Sequence, residues 1–184
     1  MSWITTASSK HLDFINPHPD QITIEDIATG LSSVPRWGGQ LKKWYSVAEH
    51  CILMLQAYKA ITKTINSEVC RAILLHDATE AYMGDIPRPL KVLIPDYQSI
   101  EKKLDIIIKL KFGISTNLEI QKIVHTFDEI MLKNEAIARG GDINWLSDQK
   151  YKNVKLLPFF GMHYFSPREA KRGFLNHWEK FKDV

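Results

Sequence analysis

An adjacent histidine and aspartate, His76 and Asp77, are followed four residues after the histidine by Glu80. An apolar run typical of a helix precedes them. On a helix, positions 76 and 80 lie on one face, and position 77 is about 100° round from position 76. An imidazole and a carboxylate can therefore bind one metal ion from the same turn, with Glu80 beside them to transfer protons. For a lone pair of this kind, a buried helix histidine whose aspartate faces solvent is the more common explanation.

Two residues elsewhere in the chain offer further ligands. His50 follows a capping-box pattern that begins at Ser46, although burial in the core would alone explain this histidine. Asp128 lies in the apolar stripe of a predicted helix, where a carboxylate is costly unless it is paired or bound to a metal. His125, three residues earlier, is a rival ligand or a partner of one. Two imidazoles and two carboxylates suit a divalent transition metal.

Two loops carry candidate substrate contacts. Arg36 and Trp37 precede two glycines, which give the backbone freedom beside a cation and an aromatic ring. The segment after the His-Asp pair contains two prolines, which stop regular structure, and it carries Asp85, Arg88 and Lys91. A stiff loop of this kind can hold cations against phosphate. Surface packing of the Arg-Trp pair and a solvated connector remain open alternatives.

The elements that must position these residues are predicted to be helices. The first 20 residues contain two prolines and no periodicity, so we expect an irregular lead-in over about 1–22. Apolar spacing and capping signals predict helices over 24–31, 46–61, 66–84, 96–112, 118–139 and 167–181. The sequence shows no repeat and no strand alternation. It therefore predicts one all-α domain over residues 1–184, with its core over about 24–139.

Composition limits the classes of function. The chain has 184 residues, 45% of them hydrophobic and 24% charged, with a net charge of +3, as expected of an ordinary globular domain. This charge suits a phosphate-bearing substrate but is too small to indicate a nucleic-acid polymer as partner. Cys51 and Cys70 show no CxxC spacing, so neither disulfides nor zinc thiolates are indicated. With no signal pattern and no long apolar run, we expect a cytoplasmic protein without a membrane partner.

The order H...HD...D resembles the HD-domain superfamily of metal-dependent phosphohydrolases over residues 24–138. Three places are similar to the YfbR-like 5'-deoxynucleotidase branch: Arg36-Trp37 ahead of His50, the motif HDATE followed by GDIP and Lys91, and Phe127-Asp128 followed by Glu135-Ala136. In length and in its RWGGQ segment, the chain most resembles the short viral dATP triphosphohydrolases of the DatZ type, which include phage enzymes. Those enzymes remove the whole triphosphate from dATP, in a host cytoplasm.

The resemblance implies an HD-domain helical bundle that holds one divalent transition metal, Zn²⁺, Co²⁺ or Mn²⁺, with Mg²⁺ accompanying a triphosphate. The implied metal ligands are His50, His76, Asp77 and Asp128. Roles in catalysis are implied for Glu80, which would exchange protons, and Asp85, which would orient water or the sugar. The implied substrate contacts are Arg36, Trp37, Lys91 and Arg88. Arg88 is equally compatible with a purely surface position.

Three functions are therefore in competition. A dATP triphosphohydrolase is favoured, a 5'-deoxynucleotidase acting on monophosphates is the second, and a non-catalytic nucleotide-binding HD domain is the third. Glu80 and Asp85 argue against the third, because binding alone needs no proton-transfer group. A homo-oligomer is also expected, because apolar residues cluster near the C-terminal end, although core packing explains them equally well: Phe159, Phe160, Tyr164 and Phe165.

Overall fold

The structure is a computed structural model that describes residues 1–140, 142–147, 149–152, 154–158 and 161–182. Phe159 and Phe160, two of the residues that suggested an interface, lie outside the described residues. In chain order the helices are α1 (Ile24–Ser33), α2 (Val47–Ile61), α3 (Ser67–Leu75), α4 (Glu80–Met83), α5 (Arg88–Lys91), α6 (Pro95–Phe112), α7 (Leu118–Arg139), α8 (Gln149–Lys152) and α9 (Pro167–Glu179). Short 3₁₀ turns span Pro19–Gln21, Trp37–Gly39 and Asn144–Ser147. The predicted all-α class is confirmed.

Helix α2 lies at the centre of the bundle. It packs against α1, α3, α7 and α9, and its buried residues surround the helix instead of forming one stripe. A helix that is buried on all sides belongs to a core, so a polar side chain on α2 must find its partners inside the protein. His50 and Glu49, both fully buried, are two such side chains.

The predicted capping box at the start of α2 is only half formed. The Ser46 hydroxyl accepts the Glu49 N–H at 3.2 Å, as expected of an N-cap. The Glu49 carboxylate does not return to Ser46 but accepts the N–H groups of His163, Tyr164 and Phe165 at 2.7, 2.9 and 2.9 Å. Glu49 therefore ties the start of the central helix to the segment that leads into α9.

The predicted single helix over 66–84 is wrong, because the chain leaves the helix at His76. Helix α3 ends at Leu75, and the next residues form a tight turn in which N–H groups bond three residues back, as from Glu80 to the Asp77 carbonyl at 3.0 Å. Helix α4 then begins at Glu80. Gly30 lets α1 pack closely on α4, since a Cβ there would overlap the Ala81 backbone.

The lead-in contains a small antiparallel hairpin that its sequence pattern does not indicate. Strands β1 (Trp3–Thr5) and β2 (His11–Asp13) pair with Ile4 opposite Leu12. Each strand has only three residues, too few to show an alternating pattern. The hairpin is held from outside: the Ser8 N–H and hydroxyl donate to the Asp26 carboxylate on α1 at 2.7 and 2.6 Å.

Two smaller differences concern helix starts. The proline-containing loop after α4 includes one helical turn, α5, where no regular structure was expected. The pattern Thr116-Asn117-Leu118-Glu119 predicts a capping box at the start of α7. The helix begins as predicted, but its N-cap is Asn117, whose side chain accepts the Glu119 N–H at 2.8 Å. The pattern Ser166-Pro167-Arg168-Glu169 also predicts a capping box, and this box is formed at the start of α9. Within the described ranges, no helix is both long enough and apolar enough to span a bilayer.

Candidate metal centre

Three parts of the bundle bring two imidazoles and two carboxylates together. His50 comes from α2, His76 and Asp77 from the turn after α3, and Asp128 from α7. The two Nε2 atoms are 3.3 Å apart, and His76 Nε2 is 3.1 Å from Asp77 Oδ2. Asp128 Oδ1 is 3.5 Å from His50 Nε2 and 3.9 Å from His76 Nε2. His50 Nε2 is 3.9 Å from Asp77 Oδ2.

Three of these separations fit neighbouring ligands in the shell of a transition metal, and the two of 3.9 Å are longer. Bonds of about 2.0–2.2 Å to nitrogen and oxygen place neighbouring ligand atoms roughly 3–3.5 Å apart in tetrahedral or octahedral geometry. His50, His76 and Asp77 each offer one ligand atom within 4.8 Å of the others. Asp128 is placed to join them from α7, so the four residues named from the sequence lie together.

Hydrogen bonds turn both histidine rings so that Nε2 points into the cluster. His76 Nδ1 lies 2.8 Å from the Ile73 carbonyl oxygen, which can only accept, so Nδ1 carries the proton. His50 Nδ1 lies 2.6 Å from the Glu135 carboxylate and donates in the same way. In neutral imidazoles the Nε2 lone pairs would therefore face one another, an arrangement that a cation between them stabilises.

The cluster is also electrostatically suited to a cation. Burial acts to raise the pKa of Asp77, but His76 outweighs it, so this pKa lies well below its ordinary value. Burial acts to lower the pKa of His76, but Asp77 outweighs it and places this pKa well above its ordinary value. The site thus stabilises positive charge at His76 Nε2. Metal binding must displace that proton and should weaken as the pH falls.

Glu135 organises the residues behind the cluster, and the sequence analysis gave it no role. This fully buried carboxylate on α7 accepts from the Tyr45 hydroxyl and from His50 Nδ1, both at 2.6 Å, and from Arg36 Nε at 3.2 Å. Burial acts to raise its pKa, but Arg36 and His50 outweigh this and keep it ionised. Its position seven residues after Asp128, on nearly the same helix face, was the available signal.

Replacing Glu135 by glutamine should weaken metal binding roughly 10–100-fold, the usual effect of losing a group that orients a metal ligand. The glutamine side chain is nearly the same size but cannot hold His50 Nδ1–H with a full negative charge. Competition with a chromophoric chelator measures the affinity. Glu119→Gln, an exposed change on the same helix, is the matched control, and equal affinities in the two variants would contradict the role assigned to Glu135.

Asp128 and His125 differ from what the sequence suggested. The Asp128 side chain is 39% exposed instead of buried in the α7 stripe, because it faces a cleft. His125 lies on the outer side of α7, 61% exposed, with Nε2 3.3 Å from Glu129. It lines a smaller cavity of about 270 Å³ that also touches His76 and Asp128. His125 is therefore near the centre without facing the ligand atoms.

A larger cleft of about 690 Å³ has the metal centre in its wall. This volume lies within the range of small-molecule sites. Candidate metal ligands, further acids, cations and aromatic rings all line it. They include Asp77, Asp128, Glu80, Asp85, Arg36, Arg88, Lys91, Trp37, Trp145 and Tyr151. The cleft thus contains all the predicted catalytic and substrate-binding residues, in addition to two of the four predicted metal ligands.

Glu80 has the surroundings of a proton donor. Its side chain is buried, and its Oε2 has no hydrogen-bond partner among the described residues. Burial raises the pKa of Glu80 to about 9, and the negative charges of Asp77 and Asp85 add to the effect. Burial likewise raises the pKa of Asp85, which accepts a backbone hydrogen bond from Trp37. At neutral pH, Glu80 therefore carries a proton that it can give away.

The three predicted phosphate contacts differ in whether their positive charge is already paired with a carboxylate of the protein. Arg36 is 11% exposed and is paired with Glu135 at 3.2 Å and with Asp77 at 3.5 Å. Lys91 is paired with Glu101 at 2.7 Å. Arg88 is exposed and has no ion pair within the described part of the chain. Of the three, Arg88 is the cation most available to a phosphate, while Arg36 chiefly supports the metal ligands.

The backbone at Trp37 is held in an unusual conformation. Trp37, Gly38 and Gly39 have φ values of 60°, 58° and 74°, a left-handed run that glycine accepts but tryptophan rarely adopts. The Arg139 guanidinium lies 4.6 Å from the centre of the Trp37 ring, within the range of a cation–π contact. The Trp37 side chain is thus held at the cleft by its backbone and by a cation.

Fold and site together define an all-α domain whose candidate metal ligands follow the order H...HD...D. Residues 30–157 match the HD domain family, and the chain belongs to this family. HD domains are in general metal-dependent phosphohydrolases, and the cluster of His50, His76 and Asp77 is consistent with that chemistry.

Two relatives support the assignment across most of the chain. The protein is 42% identical over 142 residues to Uncharacterized protein YfdR of Escherichia coli, covering 77% of this chain and 75% of that protein. It is 35% identical over 140 residues to an uncharacterized protein of Rhodobacter capsulatus, covering 73% and 71% respectively. Neither name states a substrate, so the resemblance to YfbR-like deoxynucleotidases and DatZ-like viral enzymes stays a prediction.

Proposed function

We propose that this protein is a metal-dependent phosphohydrolase acting on deoxynucleotides, with dATP as its substrate and deoxyadenosine and triphosphate as its products. The observation that carries the proposal is a cluster of candidate metal ligands, two of which line a cleft that also contains the buried Glu80 side chain. Burial raises the pKa of Glu80 to about 9, which suits a proton donor. The ligands would be His50, His76, Asp77 and Asp128. A non-catalytic binding domain would not need the proton held by Glu80.

The donor set suits Zn²⁺, Co²⁺ or Mn²⁺, and availability decides among them. When bound, such an ion would act as a Lewis acid on a phosphoryl oxygen and lower the pKa of water towards ~7. Mg²⁺ would accompany the triphosphate as a separate ion.

The residues of the chain then divide the remaining work. Water would add its oxygen to the α-phosphorus as the bond from phosphorus to the 5'-oxygen breaks. Glu80 would donate a proton to the departing 5'-oxygen of deoxyadenosine. It would later recover a proton from the attacking water. Asp85, held by the Trp37 backbone, would orient water or the sugar. Overall, dATP and water give deoxyadenosine and triphosphate.

Substrate binding would use the cations and rings of the cleft. Arg88 would contact phosphate oxygens directly, and Lys91 would do so by exchanging its pair with Glu101. Arg36 would balance charge from behind the metal ligands. Trp37 would form a wall for the base. The homo-oligomer stays a prediction, and sedimentation velocity can test it. The expectation of no nucleic-acid and no membrane partner also stays a prediction.

The test is incubation with each dNTP and each dNMP in the presence of Zn²⁺, Co²⁺ or Mn²⁺, with and without Mg²⁺. Products are separated by anion exchange. The proposal expects triphosphate and deoxyadenosine from dATP. Orthophosphate from dAMP, with dATP intact, would instead establish the alternative 5'-deoxynucleotidase. Nucleotide binding without any turnover would establish the second alternative, a non-catalytic domain.

Arg88→Ala should raise the KM for dATP roughly tenfold with little change in kcat. The reason is that a charge-assisted hydrogen bond to phosphate contributes about 1.5–3 kcal/mol, and Arg88 can make one without breaking an ion pair. Steady-state kinetics with dATP measure the change. Lys102→Ala, which removes an exposed positive charge from α6, controls for net charge, and an equal rise in its KM would argue against a specific contact.

A further inference from the structure

The chain between α7 and α9 supplies a wall of the cleft that neither the sequence motifs nor the proposed chemistry uses. Within its described residues, Trp145 and Tyr151 line the cleft. Their rings pack edge to face, with centroids 5.3 Å apart and planes at 87°. This wall and the metal ligands Asp77 and Asp128 therefore border one continuous space.

Side chains of α7 hold this segment in place. Lys133 Nζ donates to the carbonyl oxygens of Tyr151 and Val154 at 2.8 and 3.0 Å. The buried Asn134 side chain accepts the Leu157 N–H at 2.8 Å. These bonds attach the backbone around Tyr151, Val154 and Leu157 to the helix that carries Asp128. Tyr151, which packs against Trp145, is thus anchored next to the metal centre.

Trp145 is the exposed ring of the cleft. Its residue is 40% exposed, whereas Trp37 and Tyr151 are both partly covered. Trp37 already has the Arg139 guanidinium against its ring, and Tyr151 packs against Trp145 itself. A large apolar ring that lines a concave cleft and keeps much of its surface exposed gains most from a flat aromatic ligand.

We propose that Trp145, supported by Tyr151, is the stacking surface for the nucleobase and sets a preference for purines over pyrimidines. This inference rests on the proposed function, because it takes the substrate to be a nucleotide. A base stacked on Trp145 would leave its phosphates to reach the ligands in the same cleft. The larger ring system of a purine covers more of the indole than a pyrimidine does.

The kinetic test compares Trp145→Ala with Trp145→Phe and the wild type. Loss of base stacking costs about 1–3 kcal/mol, so KM for dATP and dGTP should rise roughly 5–150-fold in Trp145→Ala, with kcat little changed. KM for dCTP and dTTP should rise less, and Trp145→Phe should restore part of the loss. Base-free 2-deoxyribose 5-triphosphate should be hydrolysed equally by all three proteins.

Trp44→Ala is the matched control, since Trp44 is 39% exposed and does not line the cleft. Binding of deoxyadenosine, followed by calorimetry, needs no turnover and should weaken in Trp145→Ala but not in Trp44→Ala. Unchanged KM and nucleoside affinity in Trp145→Ala would overturn the inference, as would an equal loss with the base-free substrate. A wild type that binds deoxyadenosine through Trp145 but hydrolyses no nucleotide would refute the proposed function alone.

Discussion

Glu80→Gln should lower kcat for dATP by roughly 10²–10⁴-fold, the usual contribution of a positioned proton donor, while metal affinity stays within a factor of about two. Glutamine keeps the shape of the protonated side chain but has no proton of suitable acidity to give. Stopped assays of product measure kcat, and chelator competition measures affinity. Glu119→Gln, which alters an exposed carboxylate on α7 that does not line the cleft, provides a comparison. Normal turnover in Glu80→Gln would remove Glu80 from the mechanism.

The raised pKa of Glu80 also has a consequence for stability in the metal-free protein. The unfolded chain ionises Glu80 above its ordinary pKa of about 4.5, whereas the folded chain keeps the proton until about pH 9. Folding therefore takes up a proton in this window, and the contribution of Glu80 to the free energy of unfolding falls as the pH rises through it. Urea unfolding with EDTA present should show a weaker decline in Glu80→Gln than in the wild type.

Asp77→Asn should abolish measurable turnover, a loss of at least about 10³-fold, and should weaken metal binding in parallel. Asparagine offers a neutral oxygen where a metal ion needs a negatively charged ligand. It also removes the carboxylate charge that lies 3.1 Å from His76 Nε2. The comparison variant is Asp105→Asn, whose carboxylate pairs with Lys109 on the surface of α6. Kinetics and metal content are measured together.

A result in which Asp77→Asn keeps its metal but loses turnover would change the interpretation. Asp77 would then act on the substrate or through Arg36, which lies 3.5 Å from it. Full turnover in Asp77→Asn would contradict the metal centre itself.

The sequence predicts the class of fold and the approximate bounds of most long helices because these depend on local signals. Apolar spacing and capping residues mark α2, α6, α7 and α9 within a few residues. The prediction from the sequence fails at His76, because the apolar spacing typical of a helix continues there but helix α3 ends at Leu75. The turn there is determined by non-local packing of α4 on α1, which periodicity cannot reveal.

The candidate metal ligands could be predicted from their residue types. The residues that hold those ligands in place could not. Glu135 and Arg36 are 99 positions apart in the chain, and only the folded bundle shows that one holds the other. An arginine beside a tryptophan in a glycine-rich loop indicates substrate contact, yet most of the Arg36 charge is used inside the protein. Motif spacing carries no information on which charges are already paired.

The wall formed by Trp145 and Tyr151 could not be predicted from the sequence, for a related reason. The segment has no motif and no sustained periodicity, so its relation to the cleft depends on bonds from Lys133 and Asn134 on α7. Its role can be inferred only after the cleft is seen.

The central claim is that one cation is held jointly by residues from three separate parts of the bundle. The most direct measurement is a calorimetric titration of EDTA-treated, desalted protein with Zn²⁺, Co²⁺ or Mn²⁺, in parallel for the wild type and His50→Ala. One ion should bind per chain of the wild type, with proton release, and its affinity should fall at least about 100-fold in His50→Ala. A wild type that binds no ion, or a His50→Ala variant that binds as well as the wild type, would contradict the account.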